Sequence, residues 1–157
     1  IVYIGSGSLA GLTREAQLKI LELTAGKVAT IFDSSMGFRH GPKSFINEKT
    51  IMFGFVNNTP YTRDYDLDIL EEVHGDEIAA GVFAIAQPGK RNFSGSTIEY
   101  SAETALLPDG YLALADIMVA QTVALLTSIK VGNKPDTPSP TGTVNRVVKG
   151  VTIYDYK

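Results

Sequence analysis

Short runs of β-branched and aromatic residues alternate along this chain with longer stretches in which apolar positions recur every three or four residues. The first period belongs to buried strands and the second to helices packed on them. Residues 1–4, Ile-Val-Tyr-Ile, read as a core strand that runs into Gly5-Ser6-Gly7-Ser8. A helix is expected from about Leu9 to Ala25, with Gly26 as its stop. Lys27 to Phe32 reads as a second strand, Asp33 to Pro42 as a Ser- and Gly-rich loop, and Lys43 to Asn47 as a short helix. The nearly unbroken apolar run Thr50 to Val56 predicts a central strand of a parallel sheet. Asn57 to Pro60 then turns into a helix over about Tyr61 to Val73.

Gly81 to Ala86 is the next strand; after the polar connection Gln87 to Ser96, Thr97 to Tyr100 forms a short one. Leu106 to Gly110 leads into the most apolar helix, about Tyr111 to Ile129. Gly132 to Thr143 is rich in Pro, Gly, Thr and Ser and reads as an irregular loop. A turn over Val144 to Val148 and a segment from Val151 to Tyr156 close the chain. Strands that alternate with helices predict an α/β fold, one parallel sheet covered on both faces. Ligands of such sheets bind beyond the carboxyl ends of the strands, so the loops at 5–8, 33–42 and 57–60 are expected to meet on that edge. The 157 residues suit a single domain, 1–157. A chain that opens inside a core strand is expected to be a fragment of a longer protein, with function divided between this domain and the remainder.

Composition narrows the chemistry. An apolar fraction of 44% with 20% charged residues is ordinary for a globular domain. A net charge of −3 gives no electrostatic footprint for nucleic acid or an anionic membrane. The absence of cysteine excludes disulfides, thiolate catalysis and thiolate metal sites, and fits a cytoplasmic setting. The apolar helix is interrupted by Asp116, Gln121 and Thr122, so no membrane span is expected.

Candidate chemistry concentrates in the first quarter of the chain. Glu15, Lys19 and Glu22 fall within about 60° of one another on a helix. They are flanked by Leu12, Ala16 and Leu23 on one side and by Leu18 and Ala25 on the other, while Thr13, Gln17 and Thr24 read as the solvent face. A carboxylate–ammonium–carboxylate row walled by apolar residues either lines a cavity or forms a solvated ion-pair row. His40, in Gly37-Phe38-Arg39-His40-Gly41-Pro42-Lys43, adds a group that titrates near neutrality beside cations suited to an anionic ligand. No second ligand at metal spacing accompanies it, so no metal is expected. Gly5-Ser6-Gly7-Ser8, between strand and helix, reads equally as an anion cradle or as a tight turn capped by Ser8. On pattern alone Lys149 is a surface lysine.

The chain resembles the SIS (sugar isomerase) domain family. The resemblance rests on Gly5-Ser6-Gly7-Ser8, on Glu15-Ala16-Gln17-Leu18-Lys19-Ile20-Leu21-Glu22-Leu23 and on Arg39-His40-Gly41-Pro42. The tail segments 132–138 and 142–148 add to it. It is most similar to the C-terminal SIS domain of the AgaS type, known as tagatose-6-phosphate ketose/aldose isomerases and galactosamine-6-phosphate deaminase/isomerases. The resemblance implies a three-layer, doubly wound, flavodoxin-like fold and a sugar-phosphate substrate handled without a cofactor. It further implies a site shared between subunits of a homo-oligomer, and an N-terminal SIS domain that grips the phosphate. It assigns proton shuttling between C1 and C2 to Glu22, ring opening to His40, and orientation of substrate oxygens to Lys19. Gly5, Ser6, Gly7, Ser8, Arg39 and Lys149 are implied on the substrate; for Lys149 one inserted residue after Asn145 departs from the related synthase pattern. The alternative is a sugar-phosphate sensor of a transcriptional regulator, which binds without turnover.

Overall fold

The computed structural model describes residues 1–101, 107–144, 147 and 150–156. Five strands form one parallel sheet: β1 (Val2–Gly5), β2 (Ile31–Asp33), β3 (Ile51–Phe55), β4 (Gly81–Ala86) and β5 (Ser96–Glu99). They lie in the order β2-β1-β3-β4-β5. Pairing is in register from Val2 against Ile31 on one side and Met52 on the other, through Phe53 against Phe83, to Ile85 against Ile98. The strand order reverses between β1 and β3, which makes the loops after those strands the switch point of a doubly wound sheet.

Alternate residues of each strand feed two separate cores, as the period of two requires. Val2, Ile4, Met52, Val56, Val82 and Ala84 point to one face, where α3 (Pro60–Gly75) packs through Leu67, Ile69, Leu70 and Val73. The five-residue helix α2 (Ser35–Arg39) joins that face through Phe38. Tyr3, Phe53, Phe55 and Ile85 point to the other face, against α1 (Ala10–Leu23) and α4 (Asp109–Lys130). There the rings of Tyr3, Phe53 and Phe83 stack in a row, with centroids 5.5 and 5.4 Å apart. The described residues thus have the predicted three-layer architecture.

Three local features differ from the sequence reading. The second strand is shorter and later than expected, and residues 35–39 form a helix where a loop was expected. Ser34 explains the second: its side chain accepts the Gly37 N–H and caps the helix. The solvent face of α1 is also reversed. Thr13 and Thr24 are fully buried, whereas Glu15, Leu18, Leu21 and Glu22 face outward. The polar side chains tolerate burial because they bond within reach: Thr13 to the Ala10 carbonyl at 2.7 Å and Thr24 to that of Ile20 at 2.6 Å. Gln17 likewise donates to the Thr30 carbonyl at 2.9 Å. Helix α1 ends at Leu23, two residues before the expected Ala25, and Ala25 joins Gly26 in the left-handed region at φ 52° and 72°.

Candidate functional site

Because the sheet is parallel, α1 starts at the carboxyl edge of the strands and ends at their amino edge, and α4 follows the same course. The candidate residues therefore divide between two ends of the domain. At the amino edge, the segment after α4 folds back over the end of α1. Asn133 is the anchor: buried, it donates to the Leu23 carbonyl at 2.7 Å and to the Pro138 carbonyl at 2.9 Å. Lys27 adds a 3.4 Å bond to the Val131 carbonyl. Between α1 and the returning segment lies a cleft of about 1050 Å³, lined by Glu22, Lys27 and residues 135–144.

Glu22 stands on the wall of this cleft within the predicted charged row. Lys19 Nζ lies 3.0 Å from both Glu15 Oε1 and Glu22 Oε2. Burial acts to lower the pKa of the Lys19 ammonium, but its hydrogen bonds and charge contacts with Glu22 and Glu15 outweigh this and leave it raised. The row is the outer face of α1 and not a buried stripe; its cation is about a quarter exposed and its carboxylates about half. The geometry fixes Glu22 toward Lys19 while leaving it open to a ligand. Lys149 lies outside the described residues.

His40 is elsewhere. It is exposed and caps the end of α2, on the opposite face of the sheet from α1, and it does not line the Glu22 cleft. Its neighbours are held by α3: Arg39 pairs with Glu72 at 2.7 Å, and Lys43 bridges Glu72 and Asp76 at 2.6 and 2.7 Å. Hydrogen bonds to Asp76 and Glu72 raise the Lys43 pKa. The fold does not bring Glu22 and His40 together within one chain.

The glycine loop at the carboxyl edge holds a polar cluster that pattern reading did not identify. Its centre is Asp66 of α3, 1% exposed. Its Oδ1 accepts the Ser6 hydroxyl at 2.6 Å and the Ser35 hydroxyl in a shorter bond, and its Oδ2 accepts the Asn57 N–H at 3.0 Å. Burial raises the Asp66 pKa, opposed by the hydrogen bonds from Ser35, Ser6 and Asn57 and by the charge of Arg63. Three donors of the loops after β1, β2 and β3 thus converge on a carboxylate supplied by the protein. Gly7, at φ 59°, lets the loop pass close to Asn57, whose Nδ2 donates to the Ser6 carbonyl at 3.3 Å.

The cluster continues toward β4. The Asn58 N–H donates to both oxygens of Asp109, at 3.0 and 3.3 Å, and Asn58 Nδ2 donates to Gln87 Oε1 at 3.0 Å. Buried Arg63 holds the next loop through the Gln87 and Arg91 carbonyls at 3.0 and 2.7 Å. A short hydrogen bond from Tyr100 to Asp116 ties β5 to α4. Burial pushes the Asp116 pKa up to about 6, opposed by the Tyr100 bond and helped by the charge of Asp109. Asp66 was hidden in the sequence because its spacing on α3 is that of any helical acid. Asn133 gave no signal beyond its place in the tail motif.

No family model matches the chain. Among curated proteins it is 49% identical, over its full length, to the D-galactosamine-6-phosphate deaminase AgaS of Escherichia coli O157:H7. The chain spans 41% of that relative's length. Among solved structures it matches the tagatose-6-phosphate ketose/aldose isomerase of Escherichia coli with 42% identity and a TM-score of 0.83. That match covers 99% of this chain and 39% of the other. The C-terminal domain of glucosamine-fructose-6-phosphate aminotransferase from Francisella tularensis matches in fold alone, with 19% identity and a TM-score of 0.70 over 85% of this chain and 36% of that one. The regulator alternative finds no support among these relatives.

Proposed function

This chain is a SIS-type domain homologous over its whole length to one part of the AgaS proteins, and from that premise we propose that it is the acid–base half of an aldose–ketose isomerase/deaminase. The substrate is a hexose or amino-hexose 6-phosphate, of the tagatose-6-phosphate or galactosamine-6-phosphate type that the relatives' names carry. The observation that supports this most directly is the placement of Glu22: a carboxylate on the wall of a cleft of about 1050 Å³, held 3.0 Å from an ammonium that is itself held by a second carboxylate.

The chemistry follows from that arrangement. Isomerisation moves a proton between C1 and C2 of the open-chain sugar through an enediol or its amino counterpart. Glu22 takes the proton from one carbon and returns it to the other. Lys19, kept charged by Glu15 and Glu22, faces the oxygens where negative charge develops. With an amino group at C2, the same transfer from C2 to C1 gives a ketimine. Water hydrolyses it, releasing ammonia and the 2-ketose phosphate. No redox step or organic cofactor enters.

His40 opens the sugar ring in the site of a neighbouring subunit; its exposure on the face away from Glu22 suits this role. The phosphate is gripped outside this domain, by an N-terminal SIS domain. Asp66 supports that division, because it already takes up the donors of the Ser6, Ser35 and Asn57 loops. Arg39 and the tail lysine Lys149 complete the substrate contacts. The protein works as a cytoplasmic homo-oligomer. In the full-length protein, Glu22→Gln is expected to lower kcat by at least about a thousandfold with the melting temperature unchanged. Ammonia release from galactosamine-6-phosphate and ketose formation are the assays, and near-normal turnover in either would refute the role of Glu22.

A further inference from the structure

Helix α4 carries its large side chains on a side that, among the described residues, is left exposed. Its inner edge places Leu112, Asp116, Ala120, Ala124 and Ser128 against the domain, all buried. The middle of that edge is small: Ala120 and Ala124 are fully buried in the core beside Tyr3 and Phe55. The outer edge holds Tyr111, Leu114, Met118, Leu125, Leu126 and Ile129, between 42 and 76% exposed. No charged residue falls between Asp116 and Lys130. The same face carries exposed Gln121 and Thr122, which are polar but uncharged, whereas a helix face that lies in water concentrates charge. Leu18 and Leu21 on the adjoining α1 are also exposed, at 42 and 38%. An apolar surface of this kind marks an interface.

Helix α4 is 22 residues long, and its most apolar 18-residue stretch has a mean hydropathy of 1.8, which would also suit a bilayer. Its inner edge argues for a protein cover. It is built into the core over most of its length, with Asp116 held by Tyr100 and the Asp109 carboxylate by the Asn58 N–H.

We propose that the outer face of α4 is the seat of the remainder of the longer polypeptide, contributed as an uncharged aliphatic face of a second folded domain. This rests on the reading of the chain as one domain of a longer protein. A relative matched over only 41% of its length has room beyond the match for another domain of this size. The consequence is that α4 fixes how the two halves of the catalytic unit are set against each other.

The methionines of the chain test this without mutation. Met118 on α4 is 63% exposed in this domain, Met36 45% and Met52 0%. Dilute peroxide oxidises accessible methionine sulfur and spares covered sulfur. In the native full-length protein, mass spectrometry is expected to find Met118 oxidised about tenfold more slowly than free N-acetylmethionine added to the same reaction. Met118 reacting about as fast as that free reference would overturn the proposal. Photo-methionine incorporated at position 118 identifies the cover. A cross-link to a peptide from outside residues 1–157 is expected, and one to residues 1–157 of a second copy would overturn it. Turnover in the same preparation keeps the two readings apart. An active enzyme with a reactive Met118 loses only the interface, whereas a covered Met118 without isomerase or deaminase activity loses only the proposed reaction.

Discussion

Asp66 shows how one residue can stand where a ligand would be expected. The Ser6 and Ser35 hydroxyls and the Asn57 N–H converge on its carboxylate. Removing it strands the buried donors of Ser35 and Asn57 and the half-buried Ser6 hydroxyl, and each buried loss costs about 1–3 kcal/mol. Asp66→Ala is therefore expected to destabilise the domain by roughly 3 kcal/mol or more, read as a lower urea midpoint with the slope unchanged. Asp116 makes a different prediction. Its folded pKa of about 6 lies above that of an unfolded aspartate, so the folded state holds the proton more tightly. Its contribution is fully present below about pH 4 and is lost as pH rises through 6. Asp116→Asn, which keeps an acceptor for Tyr100, is expected to leave stability unchanged near pH 4 and to raise it above pH 6 by at most about 3 kcal/mol. Urea unfolding across that range checks the sign; a variant less stable at pH 8 would contradict it.

At the scale of elements, α1 and the segment after α4 work as one unit. The charged row on α1 was legible because residues 15, 19 and 22 share a helical face whatever lies around it. Which face met solvent was not legible. Thr13, Gln17 and Thr24 look polar in sequence, yet each finds a backbone carbonyl and turns inward. The cleft beside Glu22 exists because Asn133 clamps the returning chain onto the Leu23 carbonyl. Asn133→Ala is expected to cost about 1 kcal/mol, since it removes the donor of two half-buried carbonyls. If Glu22 acts as proposed, the substitution also lowers kcat of the full-length protein by loosening the cleft wall. Thermal denaturation and steady-state kinetics read the two effects separately. The short helix α2 escaped the pattern because it depends on one cap, Ser34, and on one buried ring, Phe38.

For the whole molecule, the separation of Glu22 and His40 sets how the site proposed above would be assembled. They lie on opposite faces of the sheet, so a site that uses both needs two subunits. Mixing is the test. In the full-length protein, Glu22→Gln and His40→Ala are each expected to be inactive alone, while hybrids of the two carry one intact site. A randomly mixed dimer is then expected to regain about a quarter of wild-type activity. No recovery would place both groups in the same subunit's site.

The sequence by itself determined the α/β alternation, the charged row on α1 and the stop at Gly26, because each depends on the period or conformation of a few neighbouring residues. It also carried the resemblance to sugar isomerase domains, since that lies in contiguous motifs. Only the tertiary structure decided what depends on residues far apart. It set Asp66 sixty positions from Ser6 inside the glycine loop, and Asn133 over the end of α1. It held Glu22 and His40 on opposite faces, and it left the large residues of α4 outward. Those placements follow from how helices pack on a sheet, where burial and hydrogen-bond satisfaction are settled among all neighbours at once.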